Sequence, residues 1–124
     1  MKNVVKTNKA PGAIGPYSQG IQVGDMFFFS GQIPLNPETG TMPETIVDQA
    51  HQALTNVKGL LESQGLTFAN VVKTTVFLDN IDDFATVNEI YAQYFTEPFP
   101  ARSAVEIGRL PKGALIEVEV IAVK

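Results

Sequence analysis

The sequence contains no cysteine, so disulfides, thiolate nucleophiles and thiolate metal sites are excluded. Its single histidine, His51, excludes a multi-histidine metal site within one chain and leaves only carboxylate ligation open. Positive charge is scarce: 9 Lys and Arg against 13 Asp and Glu give a net charge of -4 and a pI near 4.8. Nucleic-acid affinity rests mainly on clustered lysine and arginine, and no such cluster occurs, so no nucleic-acid partner is expected. Long apolar runs are also missing. No segment approaches membrane-spanning length and Met1–Lys6 lacks the apolar core of a signal peptide, so a cytoplasmic protein without a membrane partner is expected.

What is present describes an ordinary soluble globule, 124 residues long, 44% hydrophobic and 18% charged. That length predicts a single domain, 1–124, with enough chain for a real core.

Two late stretches organise the rest. Residues 100–107 (PARSAVEI) and 115–123 (LIEVEVIAV) alternate at period two and are rich in β-branched residues, which predicts two strands. Leu110-Pro111-Lys112-Gly113 between them has the chemistry of a turn, so an antiparallel hairpin is expected. Arg102, Ala104 and Glu106 share one face of the first strand, and Leu115, Glu117, Glu119 and Ile121 share one face of the second. The hairpin sets these two faces together, so an arginine and three carboxylates are expected among Leu115, Ile121 and Val123, opposite a core face. Such a face suits an interface with a binding site, where a guanidinium fork meets a carboxylate ligand, or else a solvated outer face with an exposed ion pair.

Upstream, Asn3–Lys6 is short and β-prone, an expected edge strand. Two prolines and two glycines in Pro11–Ser18 forbid regular structure and present Tyr17 on a loop, either plugging the sheet edge or facing a site. Gly20–Val23 and Met26–Ser30 flank Gly24-Asp25, the signal of a tight hairpin. The successive Phe27, Phe28 and Phe29 must point to both sides of the sheet, so both faces are expected to be covered. At Ser30-Gly31 the strand ends, and Gly31 either admits another group close to the backbone or serves only as a terminator.

Apolar residues spaced by three and four from Ile46 to Leu61 predict a helix from about Thr45 to Gln64, stopped by Gly65. His51 lies at the edge of that stripe without an acidic or nucleophilic neighbour one turn away, and reads as a flank residue. Val71–Leu78 reads as a strand, and a second helix is expected from the caps at 79–82 to about Phe95, with Phe84, Val87, Ile90, Tyr91, Tyr94 and Phe95 as its apolar stripe. Asn88 falls inside the second stripe, where a buried amide needs partners, and a tie to a neighbouring loop is favoured over a polar site. The order β-β-β-α-β-α-β-β predicts an α+β sandwich with a six-strand sheet, mostly antiparallel, and two helices on one face. Self-association is the economical cover for the other face.

The segments Gly15-Pro16-Tyr17-Ser18, Ser30-Gly31-Gln32-Ile33-Pro34, Val87-Asn88, Pro100-Ala101-Arg102-Ser103 and Ile116-Glu117-Val118-Glu119 resemble the RidA family of reactive-intermediate deaminases, formerly called YjgF. The resemblance is collinear over nearly the whole chain. It implies a chorismate-mutase-like fold, a homotrimer with ligand clefts between subunits, and hydrolysis of 2-imino and 2-enamino acids such as 2-iminobutanoate and 2-iminopropanoate to 2-oxo acids and ammonia, with no cofactor and no metal. It further implies that Arg102 clamps the substrate carboxylate, that Glu117 is associated with the attacking water, and that Tyr17, Ser30, Gly31 and Asn88 line the cleft. Where many relatives have a cysteine two residues after the arginine, this chain has Ala104, which offers only its backbone amide and carbonyl. The chain is also shorter than some relatives between the second helix and Pro100. Glu119 shares a face with Glu117, so which carboxylate handles the water stays open. Imine hydrolysis needs an anchored carboxylate, a held water and a proton acceptor, and Arg102 and Glu117 supply them. The competing readings are a regulator that senses a small carboxylate without turnover, and an endoribonuclease or translation inhibitor, which the acidic composition disfavours.

Overall fold

Residues 1–124 are described by a computed structural model, and its elements follow the order expected from periodicity. They are β1 (Lys2–Val5), β2 (Gly20–Val23), β3 (Met26–Gln32), α1 (Ile46–Ser63), β4 (Val71–Leu78), α2 (Phe84–Tyr91), β5 (Ala101–Glu106) and β6 (Ile116–Val123). Thr45 caps α1 by accepting from the Asp48 N–H, and Asp48 places a negative charge in the first turn. Past its end, Gly65 takes the left-handed φ of 72° that a side chain resists. Helix α2 is shorter than the expected run to Phe95. After Tyr91 the chain tightens through three-residue bonds, Gln93 N–H to Ile90 O and Tyr94 N–H to Tyr91 O, which satisfy carbonyls orphaned at the helix end.

The sheet order is β1-β2-β3-β6-β4-β5, and every pairing is antiparallel except β4 with β5. This corrects the expected β5–β6 hairpin. Strand β5 instead runs parallel to β4 after the crossover through α2, and β6 inserts between β3 and β4. Burial explains the choice: Ile116, Val118, Val120 and Ala122 of β6 are all buried, as a central strand requires, whereas β5 is exposed along most of its length and suits an edge.

Both helices pack on the face that carries Phe27, Phe29, Val76, Leu78 and the buried residues of β6, and the core lies between them and the sheet. The opposite face has no cover within the chain. There Val4, Met26, Phe28 and Val105 are 65%, 40%, 42% and 42% exposed. The three phenylalanines divide as expected, Phe27 and Phe29 inward and Phe28 outward. No helix is long and apolar enough to cross a membrane.

Candidate functional site

The seven residues singled out in the sequence fall into two groups on opposite faces of the sheet. Arg102 lies opposite Thr74 of β4, whose side chain is fully buried on the helix face, so Arg102 leaves the sheet edge toward α2. There Phe84, Asn88 and Tyr91, at spacings of four and three, present one stripe to it. The guanidinium carbon lies 5.1 Å from the Phe84 ring centre and 4.8 Å from that of Tyr91. Nη1 donates to Asn88 Oδ1 at 2.7 Å. The Asn88 amide thus meets the Arg102 side chain, and the loop tie favoured from its position in the stripe is not made. The Tyr91 hydroxyl lies 2.9 Å from Thr74 Oγ1, and burial pushes its pKa up against the opposing effects of that hydrogen bond and of the Arg102 charge. Asn88, Tyr91, Ala92, Phe99, Pro100 and Arg102 enclose a cavity of about 510 Å³.

Glu117 belongs to the other face. It is opposite Phe77 of β4 and lies beside a bulge where Ser30 and Gly31 of β3 span the distance of a single residue, Glu119, on β6. A Cβ on Gly31 would fall 2.8 Å from Glu117 Cδ and 2.9 Å from Oε1. The glycine thus holds the space into which the carboxyl folds. Glu117 is half-buried, and desolvation, followed by the neighbouring Glu119 charge, raises its pKa above the usual carboxylate value. Tyr17, Ser30, Gly31 and Glu117 share a cavity of about 520 Å³ with Ile14 and Lys112. Lys112 there holds a left-handed φ of 58° at the tip of the short turn Pro111–Gly113. Tyr17 is 53% exposed, so it does not plug the sheet edge. Ser30 Oγ donates to Ser18 O at 2.6 Å and fixes the Tyr17 loop to the strand.

Arg102 and the carboxylates therefore do not share a face. Arg102 is three residues from Val105, which is aligned through Phe77 with Glu117 across two strand spacings. At ~3.3 Å per residue and ~4.8 Å per strand this is on the order of 14 Å, with the side chains leaving opposite sides. The shared face expected from the hairpin is corrected for the same reason as the hairpin itself. Ala104, opposite Val76, packs against the core from the helix face and lines neither cavity.

Two contributors went unread in the sequence. Tyr91 looked like a core member of its stripe, yet the Arg102 guanidinium lies over its ring. Gln19, 3% exposed, accepts from Thr7 N–H at 2.7 Å and donates to Thr7 O at 2.9 Å and Pro11 O at 2.8 Å, which fastens the loop that presents Tyr17. Loop composition carries no signal for such a clasp. His51, read as a flank residue, has its Nδ1 2.7 Å from the Tyr94 hydroxyl and lines neither cavity.

A family model described as Endoribonuclease L-PSP matches residues 7–124. The chain belongs to the Endoribonuclease L-PSP family. Among relatives of this family member, the 2-iminobutanoate/2-iminopropanoate deaminase of Escherichia coli K12 is 52% identical, covering 100% of this chain and 99% of its own. The solved structure of YyfA, a protein of the conserved Rid family from Yersinia pestis, matches with a TM-score of 0.97 and 50% identity over 100% of both chains. E. coli TdcF, solved with bound serine, matches with a TM-score of 0.94 and 47% identity over 98% of each chain. These relatives bear out the resemblance to RidA proteins, within a family whose model carries the endoribonuclease name.

Proposed function

We propose that the protein is a cofactor-free deaminase that hydrolyses 2-imino and 2-enamino acids, 2-iminobutanoate and 2-iminopropanoate among them, to 2-oxo acids and ammonia. The observation that carries this reading is the pairing of an anchored arginine with a half-buried glutamate of raised pKa, in a chain 52% identical over its length to a protein named for that activity. In this mechanism Arg102 receives the substrate carboxylate through two parallel N–H donors. Glu117 accepts a proton from water as its oxygen bonds to the imine carbon, then returns a proton to nitrogen. Glu117 next takes the hydroxyl proton of the resulting carbinolamine and passes it to nitrogen as the C–N bond breaks, so that the carbonyl forms and ammonia leaves. Proton transfer of this kind contributes ~10²–10⁴ in rate, enough for a substrate that already hydrolyses unaided.

The two halves must come from different chains, because within one chain they leave opposite faces. A homotrimer whose open sheet faces meet would bury Phe28, Met26 and Val105 and bring one subunit's Arg102 to another's Tyr17, Ser30, Gly31 and Glu117. A pyridoxal-phosphate threonine dehydratase, with semicarbazide trapping of the released imine, tests the activity. Catalytic amounts of the protein are expected to suppress semicarbazone formation and speed release of 2-oxobutanoate. Binding of 2-oxobutanoate without turnover would instead identify a carboxylate sensor. The endoribonuclease reading has the family model's name behind it, but the net charge of -4 works against it; salt-sensitive RNA binding and cleavage would revive it.

A further inference from the structure

We propose that Tyr91 and Phe84 are positioning residues: an aromatic clamp that fixes the plane of the Arg102 guanidinium and leaves its Nε–Nη2 edge for the ligand carboxylate. This deepens the deaminase reading and rests on it only for the identity of the ligand.

An arginine at the end of an exposed edge strand ordinarily samples many rotamers, and ordering it on binding costs side-chain entropy. Here three contacts remove that freedom before any ligand arrives. The Tyr91 and Phe84 ring centres lie 4.8 Å and 5.1 Å from the guanidinium carbon, and Asn88 Oδ1 takes Nη1 at 2.7 Å. All three come from one face of α2, so a single rigid element sets them. Tyr91 is itself held, because its hydroxyl meets the fully buried Thr74 at 2.9 Å and its ring stacks on Phe95 with centres 4.3 Å apart. Nη1 has a protein partner and Nε and Nη2 have none, and Arg102 lines the cavity shared with Phe99 and Pro100, so a carboxylate entering there has one bidentate edge left to it. Pre-ordering of this kind raises affinity by lowering what binding must still order.

The test uses the full-length protein labelled with ¹⁵N-arginine, with 2-oxobutanoate as the probe ligand. In the wild type, rotation about the Arg102 guanidinium bonds is expected to be hindered, giving separate Nη signals in the absence of ligand. Tyr91→Leu should average those signals and weaken 2-oxobutanoate binding about fivefold, the loss of one cation–π partner of an exposed guanidinium. The same variant should raise KM more than it lowers kcat. Tyr91→Phe keeps the ring face and should recover the hindered signals and affinity to within about threefold of wild type. Phe84→Leu, at a half-buried position, should act in the direction of Tyr91→Leu and covers the case in which that variant fails to fold. Folded Tyr91→Leu or Phe84→Leu with an unchanged Arg102 spectrum overturns the clamp. If the wild type neither binds 2-oxobutanoate nor turns over imines, the deaminase reading falls, while the ligand-free spectra still decide the clamp.

Discussion

Gly31→Ala separates the chemistry of this fold from its stability. The new Cβ would lie 2.8 Å from Glu117 Cδ, 2.9 Å from Oε1 and 3.1 Å from Cγ. Ordinary carbon contact begins near ~3.5 Å, so the carboxyl must retreat by roughly 0.7 Å. Gly31 has no positive φ, and its backbone accepts alanine without strain. Replacing a strand glycine also recovers ~0.5–1 kcal/mol of unfolded-state entropy, which offsets the displacement of a half-buried, flexible side chain. The net change is therefore within about 1 kcal/mol, a Tm shift of no more than ~4 °C for a chain of this size. Activity is far more sensitive, because a misplacement of about 1 Å in a reacting group costs ~10²-fold. A loss of about 10- to 100-fold in kcat/KM, mostly in kcat, is expected in the coupled dehydratase assay. In a Glu117→Gln background the same change should cost nothing further, since the group it displaces no longer works. Full activity in folded Gly31→Ala, or an undiminished penalty on top of Glu117→Gln, refutes the coupling between this glycine and the carboxylate.

Arg102→Ala should abolish measurable deamination while leaving the urea midpoint almost unchanged, and Arg102→Lys should rescue little because a point charge cannot reproduce the fork; a folded, active Arg102→Ala protein refutes the anchor. Glu117, with a folded pKa raised above its unfolded value, lowers stability as pH rises through the folded value and not below the unfolded one. Glu117→Gln should therefore be more stable than wild type at neutral pH and equal to it in acid, by urea unfolding at a series of pH values, with turnover depressed throughout. Removing the neighbouring charge by Glu119→Gln should bring the Glu117 pKa down and carry the acid limb of the kcat/KM profile to lower pH; an unmoved limb means the two carboxylates are not coupled. Mixed Arg102→Ala and Glu117→Gln chains, each inactive alone, should regain activity after subunit exchange, and a fully active monomer by light scattering would dismiss the composite site.

Periodicity made the elements legible, and pairing was the part it could not reach. Val71–Leu78 and α1 could be read almost to the residue because their burial pattern repeats locally. Within each strand the face assignments also held: Arg102 does share a side with Ala104 and Glu106, and Glu117 with Glu119. What a single strand cannot reveal is its phase relative to a neighbour, which depends on which neighbour it has. Sequence proximity and the turn residues at 110–113 favoured a β5–β6 hairpin. The competing signal was the greater length and apolar content of β6 against the polar β5, since a strand with one face buried from end to end belongs inside a sheet. Tyr91 escaped notice because a helical stripe records burial and not what lies at its margin.

The position of β6 also bears on how the chain is made. Strands β1–β3 form one antiparallel block and β4–α2–β5 another, and the sheet becomes continuous only when residues 116–123 slide between β3 and β4. During synthesis the two blocks must wait for that strand with their inner edges unpaired, a state prone to stray pairing with other nascent chains. The strand that closes the gap also carries Glu117, so a molecule trapped in that waiting state has no carboxylate in place. Arrested or clipped molecules would thus be silent in chemistry, and specific activity in a preparation would count the chains whose last strand has reached the middle of the sheet.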